Sequence, residues 1–397
     1  MTTSARLSLV FSCIGHSFIH MFIAFYFVIV LAMEGEWGLS YADLIELWTL
    51  GSLLVGAAAL PAGWLRDKWS TSGMMVLFFV GMGACSIIAG LADGPGAMVI
   101  WLAGIGVFAA IYHPVGVPWL IHNAGDHKGK ILGINGVFGS LGSALAGLVA
   151  GTLIDLADWR AAFIVPGIVC LATGLTLLFL LARGRITDGA ATAGRRAEGP
   201  HRDAGRAVVI LLLCMAFGGL IYHTTQTALP KVLELRHDGL VGEGAFGIGV
   251  LVATVYTAGG IMQMAGGWLA DRFPLKLVYF VGYLIQAPLL WWVASATGVS
   301  LVMVAALMVM AGLGVLPAEN VLLARYTPER RHGLAFGVKF VISFGMAPLA
   351  VQFVSFVHGA THEFYWAFTT IAGLAALALA AIVFLPNKPV PLAVAAE

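Results

Sequence analysis

The sequence predicts an all-α polytopic membrane protein in which twelve transmembrane helices form two six-helix halves. Of the 397 residues, 60% are hydrophobic and only 10% are charged, whereas a soluble domain carries about 25% charged residues. Apolar segments of about 20 residues, the length of a helix that crosses a bilayer, recur along the chain. They do not alternate as the strands of a transmembrane barrel do, so we expect helices.

The apolar segments define the twelve spans in order. The first, 7–33, is too long for the hydrophobic region of a signal peptide, and no A-x-A-like site follows it, so we expect it to remain as helix one. The segment 183–206 is polar, basic and rich in Gly and Ala, which predicts a flexible linker between an N-terminal half, 1–182, and a C-terminal half, 207–397. The other predicted spans are 41–62, 73–92, 96–123, 130–155, 160–182, 207–233, 244–266, 275–296, 299–325, 332–357 and 363–385.

The charged loops predict the orientation of these helices. Basic residues occupy alternate connections, namely Arg66/Lys68, Lys128/Lys130, the linker, Arg272/Lys276 and Arg325/Arg330/Arg331. The basic residues assigned to the opposite side are Arg160, Lys231 and Arg236. The positive-inside rule therefore places both termini in the cytoplasm, with the chain in a bacterial inner membrane. The net charge of +1 gives no indication of nucleic-acid binding.

A short segment is repeated in the two halves. GWLRDKW at Gly63–Trp69 recurs as GWLADRF at Gly267–Phe273, each at the basic end of the second helix of its half. Matching positions in two halves are typical of transporters that arose by duplication. Both segments resemble the G-x-L-a-D-r loop motif of the major facilitator superfamily, although the first copy lacks the second Gly and the basic cluster that usually follow.

Further segments narrow this resemblance. IYHPVGVPWL at Ile111–Leu120, the Gly-rich stretch 128–155 and DWRAAF at Asp158–Phe163 resemble the branch that includes fosmidomycin-resistance exporters, which carry a similar His-Pro in helix four. The resemblance covers essentially the whole chain. It implies the superfamily fold and secondary transport by alternating access, and we expect a monomer without a cofactor. Helix five has the glycines of close helix packing but no proline, which argues against a multidrug antiporter.

The repeated segments supply candidate gating residues. The resemblance implies that Asp67 and Asp271 interact with helix ends, and that Arg66, Lys68 and Arg272 reach carboxylates across the interface between the halves. Such bridges would close the cytoplasmic side in one conformation and release in the other. The alternative is that the basic residues only anchor their loops on the cytoplasmic side.

Ionisable residues inside the spans are candidate functional residues, because a charge in the middle of a membrane is costly. They are His16 and His20 in helix one, His113 in helix four, His223 in helix seven, Glu319 in helix ten and Lys339 in helix eleven. The resemblance implies that helices one, four, seven and ten line a central cavity. At 1.5 Å per residue, His16 and His113 lie at the same depth, roughly 15 Å from the cytoplasmic side.

Polar neighbours extend this candidate site. Pro114 removes a backbone hydrogen bond and predicts a kink beside Tyr112 and His113, which favours a cavity role for them over that of a hydrogen-bonded core histidine. Gln226 lies three residues after His223 and shares its helix face. The remaining cavity candidates are Asn135, Tyr256 and Gln263.

Glu319 and Lys339 form a second group. Both are expected in the cytoplasmic third of consecutive helices, where an ion pair is the simplest way to keep both charged. Three interpretations remain open. Glu319 is a proton-coupling carboxylate whose ionisation Lys339 favours, or Lys339 is an anion anchor that is released when Glu319 is protonated, or the pair is a structural lock.

These features predict a secondary transporter rather than an enzyme. The sequence has no G-x-x-x-x-G-K-[ST] segment, which excludes ATP bound by a P-loop as the direct energy source. Histidines titrate between about pH 5 and 8, so we expect coupling to protons, by symport or antiport. Four histidines and one lysine against one glutamate favour an anionic or zwitterionic solute, with a drug-like solute left open. The alternative is a transition-metal carrier that uses His16 and His20, which share one helix face.

Overall fold

The computed structural model describes residues 2–125, 128–187, 203–242, 244–328 and 331–386, and in these ranges every regular element is helical. The predicted all-α membrane fold is confirmed. Eleven helices are long and apolar enough to cross a membrane, and a pair bent by 41° at Ala58 brings the number to twelve. Residues 188–202 of the predicted linker, Arg330 and the chain after 386 lie outside the described residues, as do the side chains of Lys128 and Lys130.

The twelve spans are numbered here in chain order, and five of them consist of more than one segment or turn. In the N-terminal half they are α1 (Thr3–Ala24 and Tyr26–Ala32), α2 (Tyr41–Glu46, Thr49–Ala57 and Ala59–Lys68), α3 (Thr71–Ala89), α4 (Pro95–Ala109, Tyr112–Gly116 and Val117–Asn123), α5 (Lys128–Leu156) and α6 (Trp159–Ala182). In the C-terminal half they are α7 (Ala204–Arg236), α8 (Ala245–Arg272), α9 (Leu275–Val293), α10 (Gly298–Gly314 and Leu316–Tyr326), α11 (His332–Gly345 and Ala347–Thr361) and α12 (Tyr365–Val383).

Proline explains three of the helix breaks. The predicted kink at Pro114 is present as a π-helical turn over Tyr112–Gly116, since a proline cannot donate the next backbone hydrogen bond. Pro317 and Pro348 stand near the start of the second segments of α10 and α11, where a missing N–H costs nothing. Each break falls in the interior of its span, so it places irregular backbone at membrane depth.

Glycines of α5 let helices approach closely, as the sequence indicates. A Cβ on Gly147 would contact Val252 and the Gly249 carbonyl of α8, and one on Gly142 would collide with the Ser17 backbone of α1. The helix therefore packs against its own half on one side and against the other half on the other side. Small residues on such a surface give close van der Waals contact, which is the main attraction between helices in lipid.

The two faces of the helical bundle differ in how the halves meet. We call the face at which α1 begins and α12 ends the terminal face, and the opposite face the distal face. On the distal face the Lys231 ammonium of α7 bonds the Glu34 carboxylate of the other half at 2.5 Å, and also Glu234 at 2.5 Å. The Tyr41 hydroxyl of α2 donates to the Thr227 carbonyl at 3.2 Å. These contacts join the halves across the distal face.

Two further contacts strengthen this closure. The Asp155 carboxylate, at the end of α5, accepts hydrogen bonds from the backbone N–H groups of Ala245 and Phe246 at 2.8 and 2.9 Å. A carboxylate at this position satisfies free amides and faces the positive end of the α8 dipole. The Ser355 hydroxyl of α11 donates to the Glu46 carboxylate of α2 at 2.7 Å. The structure is therefore closed on its distal face.

A neighbouring ion pair lies within one half and serves as a comparison. Arg236, at the end of α7, bonds Glu363 in the loop before α12. Burial raises the pKa of Glu363, but the hydrogen bond and positive charge of Arg236 outweigh it and hold that pKa below its usual range. Glu363 is therefore ionised at neutral pH. Because both partners belong to the C-terminal half, this pair does not join the halves.

We predict that the double variant Glu34→Gln/Asp155→Ala shifts the protein toward a distal-open conformation. The change removes one inter-half ion pair and one helix cap, each worth about 1 kcal/mol, so populations should change several-fold. Spin labels on cysteines at Asp93 and Ser295, in distal loops of the two halves, should report more of a longer distance. Arg236→Gln is the matched control and should leave the distances unchanged. If the double variant gives the same distances as the unaltered protein, these contacts do not hold the distal face closed.

Candidate functional site

Three of the predicted histidines meet in the N-terminal half. His16 and His20 lie one turn apart on α1, with ring centroids 5.0 Å apart. The π-helical turn of α4 brings His113 to 5.6 Å from His16 and 5.8 Å from His20. One nitrogen from each ring lies within 4.8 Å of the others. The equal depth expected for His16 and His113 is therefore confirmed, and His20 joins them; we call these three residues the histidine triad.

A hydrogen-bonded network fixes the base of the triad. His16 Nδ1 lies 2.7 Å from the backbone oxygen of Asn135 in α5, and the His16 ring stacks on Tyr112 at 5.0 Å. The Asn135 amide donates to the Tyr112 hydroxyl at 2.9 Å, and this hydroxyl donates to the Ser12 carbonyl at 2.8 Å. Because a carbonyl only accepts, His16 Nδ1 carries a proton and its Nε2 is free to accept or to bind a ligand.

Other nitrogens of the triad are buried without a described partner. They are Nδ1 of His20 and both ring nitrogens of His113. Buried polar atoms are normally hydrogen-bonded, and leaving one unpaired costs about 1–3 kcal/mol. The sequence did not predict this concentration of unpaired donors and acceptors, because it depends on how α1 and α4 turn relative to each other.

Two phenylalanines of α11 cover the triad from the other half. Phe340 stacks on His113 with centroids 4.7 Å apart, and Phe344 lies 5.0 Å from the same ring. Phe344 also lies 6.0 Å from His223 of α7. Phe344 therefore lies next to both His113 and His223, and it belongs to a segment that moves if the halves separate.

A small cavity lies on the other side of Phe344, between α1, α2, α7 and α11. It is lined by Ile23, Phe27, Trp48, Ser52, Val55, His223, Gln226, Thr227, Phe344, Ala347 and Val351. The Gln226 amide donates to the Tyr222 hydroxyl at 3.1 Å. Most of the wall is apolar or aromatic, with a polar edge, which is typical of sites for small organic molecules. Both His223 and Gln226 line this cavity, as expected.

The predicted pair of Glu319 and Lys339 is present. The Lys339 ammonium donates to Glu319 at 2.6 Å and to the Asn320 side-chain oxygen at 2.6 Å. The Tyr279 hydroxyl of α9 donates to the second oxygen of the Glu319 carboxylate at 2.8 Å. Glu319 lies in the first turn after the break in α10, where the helix dipole also favours a negative charge. All four residues belong to the C-terminal half.

The gating residues make a different set of contacts from the one expected. Arg66 bonds its neighbour Asp67 at 2.5 Å and donates to the Pro114 carbonyl at 2.9 Å, and Arg272 lies over the Trp268 ring at 4.2 Å. Within the described residues, Lys68 and Asp271 make no hydrogen bond or ion pair. Among the described residues these side chains therefore form no bridge across the halves in this conformation, in which the halves are joined at the distal face instead.

The comparisons with known proteins agree with this architecture. The family model described as the Major Facilitator Superfamily matches residues 12–255 and 241–397. The 4-hydroxybenzoate transporter PcaK of Pseudomonas putida is 24% identical over 357 residues, which cover 79% of this chain and 77% of PcaK. The puromycin resistance protein Pur8 of Streptomyces alboniger is 26% identical, and the match spans 78% of this chain but only 61% of that protein.

A solved structure has the same fold. It is a bacterial homologue of the human lysosomal transporter Spinster, in an inward-facing and occupied conformation. The TM-score is 0.73 with 15% sequence identity, and the match covers 97% of this chain and 95% of that chain. At this identity the likeness concerns the fold alone.

We predict that Tyr112→Phe destabilises the protein by about 1 kcal/mol, because the Asn135 amide loses its acceptor and the Ser12 carbonyl loses its donor. Thermal unfolding can be followed with a thiol-reactive dye, since Cys13, Cys85, Cys170 and Cys214 are all buried. Tyr256→Phe is the matched control, because the buried hydroxyl of Tyr256 has no described partner. Its removal should be neutral or stabilising; equal losses in both variants would contradict a supporting role for Tyr112.

Proposed function

The chain belongs to the Major Facilitator Superfamily, and from that premise we propose that it is a proton-coupled transporter of a small organic anion in a bacterial inner membrane. Membership itself makes the protein a membrane-embedded transporter of small solutes and not an enzyme. Coupling to protons, the anionic cargo and the orientation in the membrane are what we propose beyond family membership. The observation that carries the proposal is the buried group formed by Glu319, Lys339 and Tyr279.

The orientation follows from the distribution of basic residues. Arg66, Lys68, Arg272 and Lys276 belong to the terminal face, and the positive-inside rule assigns such a face to the cytoplasm. With the terminal face inside, closure at Glu34, Lys231 and Asp155 seals the cavity from the outside. The conformation described would then be the one that exchanges solute with the cytoplasm.

The buried pair supports a coupling mechanism. When Glu319 is ionised, its charge cancels that of Lys339 at 2.6 Å, and the Tyr279 hydroxyl donates to the carboxylate. A proton on Glu319 removes this attraction and leaves one uncompensated positive charge on Lys339. In a medium of low dielectric constant such a charge strongly favours an anion nearby. The proton and the anion therefore bind together, which favours symport over antiport.

The cavity supports a cargo with an apolar body. Phe27, Trp48 and Phe344 supply aromatic wall, while His223 and Gln226 supply polar groups. Of the relatives, PcaK is named for 4-hydroxybenzoate and Pur8 for resistance to puromycin. The ring of a small aromatic acid suits the aromatic wall, and its carboxylate suits the proposed anion-binding role of Lys339, so we take this class as the first cargo to test.

We predict that Glu319→Gln abolishes uptake driven by a pH gradient while exchange of solute across the membrane is retained. Glutamine keeps the size of the side chain but cannot take up the proton, and exchange needs no net proton movement. The measurement is uptake and counterflow of radiolabelled 4-hydroxybenzoate in proteoliposomes, with Glu363→Gln as a control that neutralises an exposed carboxylate. Uptake that persists in Glu319→Gln would refute coupling at this residue. Loss of both activities in a stably folded variant would instead indicate a structural lock.

We also predict that carboxylates stabilise the protein against heat and that their amides do not. A saturating ligand at 100 times its Kd adds about 2.7 kcal/mol to stability, which thermal unfolding detects readily. The matched probes are 4-hydroxybenzoate and 4-hydroxybenzamide. Lys339→Met should lose the stabilisation by the acid, whereas Lys276→Met, which removes a lysine at the terminal face, should keep it. Equal stabilisation by acid and amide would rule out an anion-selective site for this class.

A further inference from the structure

We propose that the histidine triad is a binding site for one divalent transition-metal ion of the Zn²⁺, Co²⁺ or Ni²⁺ class. His16, His20 and His113 supply one imidazole nitrogen each, from two helices of the same half. The proposal is independent of the cargo and of proton coupling. It follows from the geometry of the three rings, from the unpaired nitrogens and from the contacts behind His16.

The positions of the rings suit a tris-histidine site. Two histidines at i and i+4 on one helix face, with a third ligand from another element, form a common arrangement for zinc. The candidate ligand atoms lie within 4.8 Å of one another. A tetrahedral zinc with Zn–N bonds of about 2.0–2.1 Å holds its nitrogens roughly 3.3 Å apart. Rotation about the side-chain bonds of the three histidines covers the difference without moving a helix.

The contacts behind His16 orient it as a ligand. Metal-binding histidines usually donate their second N–H to a carbonyl or carboxylate, which fixes the tautomer and the ring plane. His16 Nδ1 has this partner in the Asn135 carbonyl at 2.7 Å, and Tyr112 stacks on the face of the His16 ring. The Nε2 atom of His16 is thereby directed to the ligand role.

The other two histidines have nitrogens available. Nδ1 of His20 and both nitrogens of His113 are buried and unpaired among the described residues. His223, by comparison, is not part of the group of three. A single metal ion bound by the three rings would give the ligating nitrogens a partner, and it would reduce the free-energy cost of burying them unpaired.

The donor set selects the class of metal. Three imidazoles suit Zn²⁺, Co²⁺ and Ni²⁺, whereas Mg²⁺ and Ca²⁺ prefer oxygen ligands. Cys13, whose thiolate would favour Cu(I), is not part of the group that the structure brings together. Since the three imidazoles carry no negative charge, the ion keeps its full charge and favours an anion such as hydroxide or a carboxylate in the fourth position.

The exposure of His113 depends on the conformation. Its ligands belong to the N-terminal half, while Phe340 and Phe344, which cover His113, belong to the C-terminal half. Separation of the halves near these residues uncovers the triad without disturbing it. The affinity for metal therefore depends on the position of α11.

The test is titration of the purified full-length protein, freed of metal with a chelator, with Zn²⁺ by calorimetry and with Co²⁺ by visible absorption. We expect one ion per chain and intense visible bands of a low-coordinate Co²⁺ site. His113→Ala and His16→Ala should weaken binding by at least about 100-fold, the upper end of what losing a mere supporting partner costs. His113→Gln serves as a second variant in case alanine impairs folding, which thermal unfolding reveals.

Two histidine variants serve as matched controls. His223→Ala removes another histidine buried in the bundle, and His362→Ala disrupts the pair of His358 and His362, whose rings lie 6.2 Å apart. Both should bind metal as the unaltered protein does. The proposal is overturned if no ion binds at about 100 μM Zn²⁺, or if a control variant rather than His113→Ala or His113→Gln loses the site. Because binding is measured without transport, failure here leaves the transport proposal standing, and the reverse also holds.

Discussion

A polar group in the hydrocarbon core of a membrane has no water to bond, and this constraint accounts for where the polar residues of this protein lie. Two groups of them lie at helix breaks, where the backbone itself is irregular. The π-helical turn at Pro114 carries Tyr112 and His113, and the Arg66 guanidinium bonds the carbonyl of Pro114. The break in α10 places Glu319 in a first helical turn, beside Lys339. Each break thus positions polar side chains inside the bundle.

The two halves differ in the polar side chains that they bury. The N-terminal half gathers three neutral rings around a network that includes Asn135, and the C-terminal half gathers a charged pair bonded by Tyr279. The repeated loop segments share Gly, Trp, Leu and Asp in both halves, whereas the polar interiors of the halves differ. Phe340 and Phe344 are the described side chains that connect the two groups, since they extend from the α11 of one half to His113 of the other.

The spans and several site residues follow from the sequence because their signals are local. Apolar length marks the helices, Pro114 marks the kink, and the rise per residue gave the depth of His16 and His113. The partners Tyr279 and Asn320 escaped prediction, because no local pattern shows which residue of α9 faces α10. The breaks near Val315 and Met346 were also not predicted, because the sequence does not show whether a proline begins a new helical segment or lies inside a continuous helix. The bridge expected from Arg66, Lys68 and Arg272 depends on conformation, which a sequence does not specify.

One contact on the distal face does more than hold the halves together. Asp155 of α5 completes the first turn of α8, a helix of the other half, and Gly244 before that turn has the positive φ and the lack of a side chain that allow the carboxylate to approach. The secondary structure of one half is thus finished by a residue of its neighbour. When the halves part, the amides of Ala245 and Phe246 pass from the carboxylate to water, and the beginning of a helix becomes a conformational variable rather than a fixed property of the sequence.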